Sequence, residues 1–129
     1  VELEYPVQYN DMFPYSDHSN DWYSGMYSSR PGFKKHIKDG SSALHASSKL
    51  LALRAITQSK NDTDISELLK AHDGLLDIMG VVQDHHAIAG TTSEFVTDDF
   101  RFHLVRAMDK NDEVYAKVLG EMLEKTTGI

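Results

Sequence analysis

The chain contains no cysteine, which excludes disulfide bridges, thiolate nucleophiles and cysteine zinc sites and leaves the redox compartment open. No apolar run approaches the roughly 20 residues that a membrane span requires. The opening Val1-Glu2-Leu3-Glu4-Tyr5-Pro6 lacks the basic and apolar regions of a signal peptide. Positive charge is scarce: 13 Lys and Arg stand against 20 Asp and Glu, for a formal net charge of -7. Nothing in that balance recommends nucleic acid or an anionic membrane as a partner. The sequence also has no HExxH, no GxSxG, no Gly-rich phosphate loop, and no defensible Ser/His/Asp spacing. Internal repeats and low-complexity tracts are absent.

What is present fits one ordinary domain. At 129 residues the chain can bury a real core, but it is short for a hydrolase that must also build a substrate cleft. It starts without Met, inside an alternating apolar and charged pattern, as a processed product or a piece of a longer chain would. The triplet Asn61-Asp62-Thr63 meets the N-glycosylation rule in a polar linker.

The first thirty residues carry Tyr5, Tyr9, Phe13, Tyr15, Trp22, Tyr23 and Tyr27 among Pro, Asn, Asp, Ser and Gly, with no helical period. That pattern reads as a strand plus a long ordered loop. Its aromatics either face a partner surface or ligand, as long ordered loops usually do, or seal one end of the core.

Three helices are expected to follow. Pro31 suits a first helical turn, and Phe33, Ile37, Leu44 and Leu51, with Ala43, Leu50 and Ala55 beside them, give one apolar stripe to about Gln58. Gly40-Ser41-Ser42 marks a bend or a close helix approach. After a linker over 59–62, Asp64 and Glu67 resemble a capping box. Ile65, Leu68, Leu69, His72, Leu75, Leu76, Met79 and Val82 then define a second helix ending near Gln83. Thr91 to Glu94 offers another capping signal, and Phe95, Phe100, Leu104, Met108, Tyr115, Val118 and Met122 line a third helix. Each helix is apolar on one face only, so the expected fold is mainly α, a three-helix bundle preceded by the strand and aromatic loop.

The most unusual local sequence is Gln83-Asp84-His85-His86-Ala87-Ile88-Ala89-Gly90-Thr91, between the second and third helices. Neutral imidazole is a good zinc ligand, and a helix end with a Gly-containing turn can present one outward. Adjacent helical residues point roughly 100° apart, so one histidine would ligate while the other hydrogen-bonds elsewhere. By spacing alone the plainer reading is that the pair caps the second helix, where imidazolium favours the negative end of the dipole. A catalytic zinc site takes three protein ligands, and no local pattern completes one, so most ligands would come from elsewhere. His72 reads as a hydrogen-bonded core histidine, His18 as a loop residue, and His36, His45 and His103 as helix-surface positions. Asp98-Asp99 and Asp109, Asp112 and Glu113 read as a solvated face rather than an acid/base pair.

Two stretches then resemble one family. Asp11-Met12-Phe13-Pro14-Tyr15-Ser16-Asp17, followed by Tyr23-Ser24-Gly25-Met26-Tyr27-Ser28-Ser29-Arg30-Pro31, is similar to the pattern D-F-F-P-Y-A-D…W-x-G-Y-F-x-S-R-P of the glycoside hydrolase family 38 α-mannosidases. Gln83 to Thr91 resembles that family's Q-H-H-D-A-[IV]-x-G-T, and Val96-Thr97-Asp98-Asp99-Phe100 its V-x-x-D-Y. The order and separation agree, and the resemblance covers essentially the whole chain.

The resemblance implies that residues 1–30 end a catalytic barrel domain and 31–129 form a three-helix middle domain of a retaining, zinc-dependent α-mannosidase. His85 would be the zinc ligand given by this segment. His86, Asp84, Tyr23 and Trp22 would bind substrate, a mannose-containing glycan. The catalytic carboxylates and the remaining zinc ligands would lie on the barrel, so no catalytic residue is expected here. The partners implied are the rest of the catalytic domain and the C-terminal β domains, and the location is the secretory lumen, the lysosome or outside the cell. The sequence departs from the pattern where His86 replaces its Asp, Asp84 replaces its first His, and Trp22 precedes the position of its Trp, which is Tyr23. The imidazole at 86 motivates a second reading, a non-catalytic structural or interaction module derived from the same domain.

Overall fold

A computed structural model describes residues 3–9, 11, 16–57 and 65–128, with Trp22 described in its backbone alone. Residues 3–9 have no regular structure. A short antiparallel hairpin follows, β1 (Ser16–His18) paired with β2 (Asp21–Trp22). Asn20 takes the positive φ of 66° in its turn, a conformation Asn tolerates better than most residues. The Ser16 hydroxyl lies 2.7 Å from the carbonyl oxygens of both His18 and Asp21. After a single 3-10 turn at Gly25–Tyr27 come α1 (Pro31–Thr57), α2 (Ile65–Val81), α3 (His85–Ala89) and α4 (Glu94–Thr127).

The long helices α1, α2 and α4 pack on one another because each has one apolar face and none could bury it alone. One core cluster joins Phe33 and Ile37 of α1, Leu75 and Met79 of α2, and Leu104 of α4, closed at the α3 end by Val82 and Ala87. A second holds Leu50, Leu68, Ala71, Val114 and Val118. At Gly40, α1 runs unbroken and the backbone approaches its neighbours closely. A Cβ there would stand 2.9 Å from Met79 Sδ and 3.2 Å from Leu104 Cδ1, so of the two expectations the close approach is the one found.

The core contains polar residues that an apolar stripe does not predict. Ser47 and Asn111 are buried at chain positions between the two clusters on α1 and α4. Ser47 Oγ and Asn111 Oδ1 find no hydrogen-bond partner among the described residues. Arg54 is 1% exposed and donates to Glu121 Oε2 at 2.9 Å, a charge-assisted bond that compensates the guanidinium's burial. Nearer the surface, Lys117 donates to Glu67 across α2 and α4 at 2.9 Å. That bond holds the Glu67 carboxyl below, and the Lys117 ammonium above, their ordinary ranges.

Several expectations change. The second long helix ends at Val81 rather than Gln83, and a separate five-residue helix, α3, stands in the junction. The last helix is capped by Ser93, whose hydroxyl accepts from Val96 N, and not by Thr91. Phe95 is 83% exposed, and Ala55 is exposed too, because the inward side of those terminal turns is taken by polar residues, Thr97 and Arg54, which are buried instead. His36 is a partly exposed helix residue with its Nδ1 sealed from solvent, and His18 belongs to β1. The capping residue Asp64, the glycosylation triplet at 61–63, and the aromatics Phe13 and Tyr15 lie outside the described residues.

Candidate functional site at the α3 turn

The chain reverses direction between α2 and α4 within twelve residues, 82–93, and α3 is the device that allows it. Asp84 leaves helical geometry (φ -53°, ψ 140°) and caps α3, its Oδ1 accepting from the backbone N–H of His86 at 2.9 Å. Such a cap satisfies one of the donors that every helix start leaves open. Gly90 ends α3 in the left-handed conformation (φ 73°), its N–H bonded to His86 O. Within this frame Ala87 is buried in the core while the residues on either side of the cap face outward.

His85 and His86 therefore open α3 rather than closing α2, which removes the reading of the pair as a cap on the second helix. Their rings lie side by side, with centroids 4.1 Å apart and planes at 46°, closer than two diverging helical side chains would be. The two imidazoles nevertheless have different company. His86 Nδ1 shares a 2.8 Å hydrogen bond with the Thr91 hydroxyl. His85, whose side chain is 82% exposed, has its Nδ1 3.7 Å from Asp84 Oδ2. One carboxylate thus caps α3 through one oxygen and stands beside a projecting histidine with the other.

The Ser24–Pro31 stretch packs against this turn. At Gly25 any Cβ would sit 2.2 Å from the Ala89 carbonyl oxygen, and at Gly90 one would sit 2.5 Å from Ser29 Cβ. Only two glycines facing each other's chains permit this approach. Polar ties hold it. Arg30, itself at φ 47°, donates to Thr92 Oγ1 at 3.0 Å and to Thr92 O at 2.7 Å. Thr92 Oγ1 is 2.8 Å from Thr97 Oγ1 in the first turn of α4. Lys34 Nζ donates to Ser29 O and, at 2.7 Å, to Ile88 O. Burial, and then the neighbouring Arg30 charge, lower the Lys34 ammonium from its ordinary range.

Of the residues singled out from the sequence, Asp84, His85 and His86 share one exposed turn. Tyr23, half exposed, directly precedes the segment packed on that turn. Trp22 pairs with Ser16 in the hairpin through its backbone, and its side chain lies outside the described set. His72 is the hydrogen-bonded histidine expected, joined to the Ser48 hydroxyl at 2.9 Å and to Asp73 at 3.1 Å. Asp98 and Asp99 are exposed and paired with Arg101 and His103 on their own helix, and Asp109, Asp112 and Glu113 are exposed as well, the solvated face expected of them. Sequence reasoning missed Arg30, Lys34 and Thr92. The available signal was Arg30 itself, a residue directly before Pro31, where helical backbone is disfavoured. Among the described residues no three His, Asp or Glu side chains form a group able to hold a metal ion.

Comparison with known proteins meets this geometry at both of its halves. Residues 21–122 match the family model described as "Alpha mannosidase middle domain", a span containing both the Ser24–Pro31 stretch and the α3 turn. An alpha-mannosidase of Arabidopsis thaliana is 33% identical over 100 residues, covering 78% of this chain and 9% of its own length. The lysosomal alpha-mannosidase of Dictyostelium discoideum is 25% identical over 125 residues, 95% of this chain and 12% of its own length. Alpha-mannosidase E of the same organism is 33% identical over 119 residues, 89% and 10% respectively. The chain thus spans about a tenth of the length of the curated relatives it matches. No solved structure matches it. With a family match over most of its length and relatives aligned over 78%, 95% and 89% of it, the chain belongs to the alpha-mannosidase middle domain family.

Proposed function

We propose that this chain serves a zinc-dependent retaining α-mannosidase, to which it contributes one zinc ligand and part of the mannose-binding wall. In this reading residues 1–30 close the catalytic barrel domain and 31–129 are the middle domain. The observation that carries it is the docking of the Ser24–Pro31 stretch onto the α3 turn, since two separated sequence patterns of one family meet in a single exposed corner.

The residues present suit a shared metal. His85 projects a largely exposed imidazole with Asp84 Oδ2 3.7 Å from its Nδ1, near enough that a small side-chain rotation would make the hydrogen bond that orients a ligating histidine and leaves Nε2 for the ion. One ligand falls short of the three a catalytic zinc site takes, so the others belong to the catalytic domain. Zinc held there supplies an anchor for sugar hydroxyls. His86, fixed through Nδ1 to Thr91, keeps Nε2 for a hydroxyl, and the second oxygen of Asp84 is a further acceptor. Tyr23 and Trp22 would provide the aromatic wall on which a sugar face packs. The nucleophile and the acid/base residue come from the barrel, and the location follows the lysosomal relatives into the lysosome, the secretory lumen or the exterior.

The test is His85→Ala in the complete protein. Zinc content should fall and turnover of an aryl α-mannoside with it, while thermal unfolding of the bundle stays within about 2 °C, because the side chain supports no core contact. Full zinc occupancy in this variant would remove the assignment. The second reading, a non-catalytic module, rests on the imidazole at position 86, and a complete protein without mannosidase activity but with an intact bundle would favour it.

A further inference from the structure

The α3 turn has little of its own to hold it in place. It is five residues long, far below the length at which a helix is stable alone, and Ala87 is its one buried side chain. What fixes it laterally is the polar tie to α1 and the preceding segment. Lys34 bridges the carbonyls of Ser29 and Ile88, so one ammonium joins the last turn of α3 to the end of the docked stretch. Arg30 grips Thr92 through both hydroxyl and carbonyl, and Thr92 in turn bonds Thr97 in α4.

Both cations carry a cost. Arg30 holds a left-handed backbone, at φ 47°, that a side-chain-bearing residue adopts only when its surroundings impose it. The Lys34 ammonium is partly withdrawn from water beside a second positive charge. The apolar clusters that join α1, α2 and α4 lie apart from both side chains. Strain and desolvation concentrated where two functional segments meet are what a site maintains when position matters more than stability.

We propose that Arg30 and Lys34 are positioning residues, a two-cation clamp that sets where the His85–His86 turn stands relative to the Tyr23–Arg30 segment. The proposal rests on the reading of His85 as a metal ligand for its effect on metal binding, but not for its effect on the turn. A ligand borrowed by a metal centre on another domain must arrive within a few tenths of an ångström, and the clamp supplies that precision to a turn too short to supply it.

Two variants of the complete protein test it. Lys34→Met keeps the aliphatic stem and removes the donor, and Arg30→Gly keeps the backbone conformation without strain and removes the guanidinium. Each should raise amide exchange across residues 85–92 at least tenfold, leave exchange in α1, α2 and α4 unchanged, and shift the unfolding midpoint by no more than about 2 °C. Each should also weaken zinc binding, measured by chelator competition, about tenfold, and Lys34→Arg, which retains donors, should recover most of that loss. Exchange rising throughout the bundle, or no change over 85–92, would overturn the clamp. Unchanged zinc affinity in both variants, with His85→Ala losing its zinc, would overturn the positioning role. If His85→Ala also keeps its zinc, the metal assignment fails by itself and amide exchange alone decides the clamp.

Discussion

At the scale of single residues, the proposed mannose-binding role places the most weight on position 86. Carboxylate oxygens can accept several hydrogen bonds at once, whereas neutral imidazole offers one acceptor and one donor. In His86 one ring nitrogen is already used by Thr91. A charge-assisted hydrogen bond is worth roughly 1.5 to 3 kcal/mol, so His86→Asp in the complete protein should raise mannoside affinity or turnover by about one to two orders of magnitude. Steady-state kinetics on an aryl α-mannoside would measure it. Absence of any gain would mean either that Asp84 already supplies the acceptor or that the barrel half of the site is itself degenerate. Asp84→Asn then discriminates, because Asn preserves the α3 cap while removing the charge: further loss identifies Asp84, and silence at both positions favours the non-catalytic reading. The histidine pair was legible as the chemically unusual spot because tandem imidazoles beside a Gly turn are rare. Its place at the start of a new helix was not, since five residues are too few to show a period.

At the scale of elements, the three long helices follow from their stripes, and the departures from those stripes have separate physical causes. Phe95 reads as core by spacing, yet it lies in the first turn of α4, where Thr97 takes the inward side. Arg54 and Asn111 read as surface by type, yet α1 and α4 bury them. Periodicity registers apolar residues and cannot foresee a charge buried with a partner 67 residues away. That pair makes a prediction. Glu121→Ala would leave the Arg54 guanidinium buried without this carboxylate and should destabilise the bundle by about 3 kcal/mol, read as a lower midpoint in denaturant titration. The double variant Arg54→Met with Glu121→Leu should recover most of that stability, as apolar replacements of buried pairs commonly do. A fully additive loss in the double variant would show that the pair is not coupled.

At the scale of the whole molecule, the chain leaves a good deal of apolar surface uncovered. Tyr5, Tyr9 and Tyr27 are each more than 70% exposed, and Ile56 is 83% exposed. These three tyrosines do not seal the core of this chain, and exposed aromatic surface of this kind is what contact with a neighbouring domain would cover. No helix among the described residues is long and apolar enough to cross a membrane. Because the candidate carboxylates Asp98, Asp99, Asp109, Asp112 and Glu113 are exposed on α4, and the proposed reading draws the nucleophile and acid of a retaining mechanism from the barrel, the purified chain alone should not turn over an aryl α-mannoside, and measurable turnover would contradict that division of labour. The central claim is that His85 reaches a metal held mainly by another domain. Anomalous scattering at the zinc edge, from crystals of the complete protein, tests it most directly: the account predicts a peak about 2.0 to 2.1 Å from a ring nitrogen of His85, and a peak at a site that excludes His85, or none in fully active protein, would contradict it.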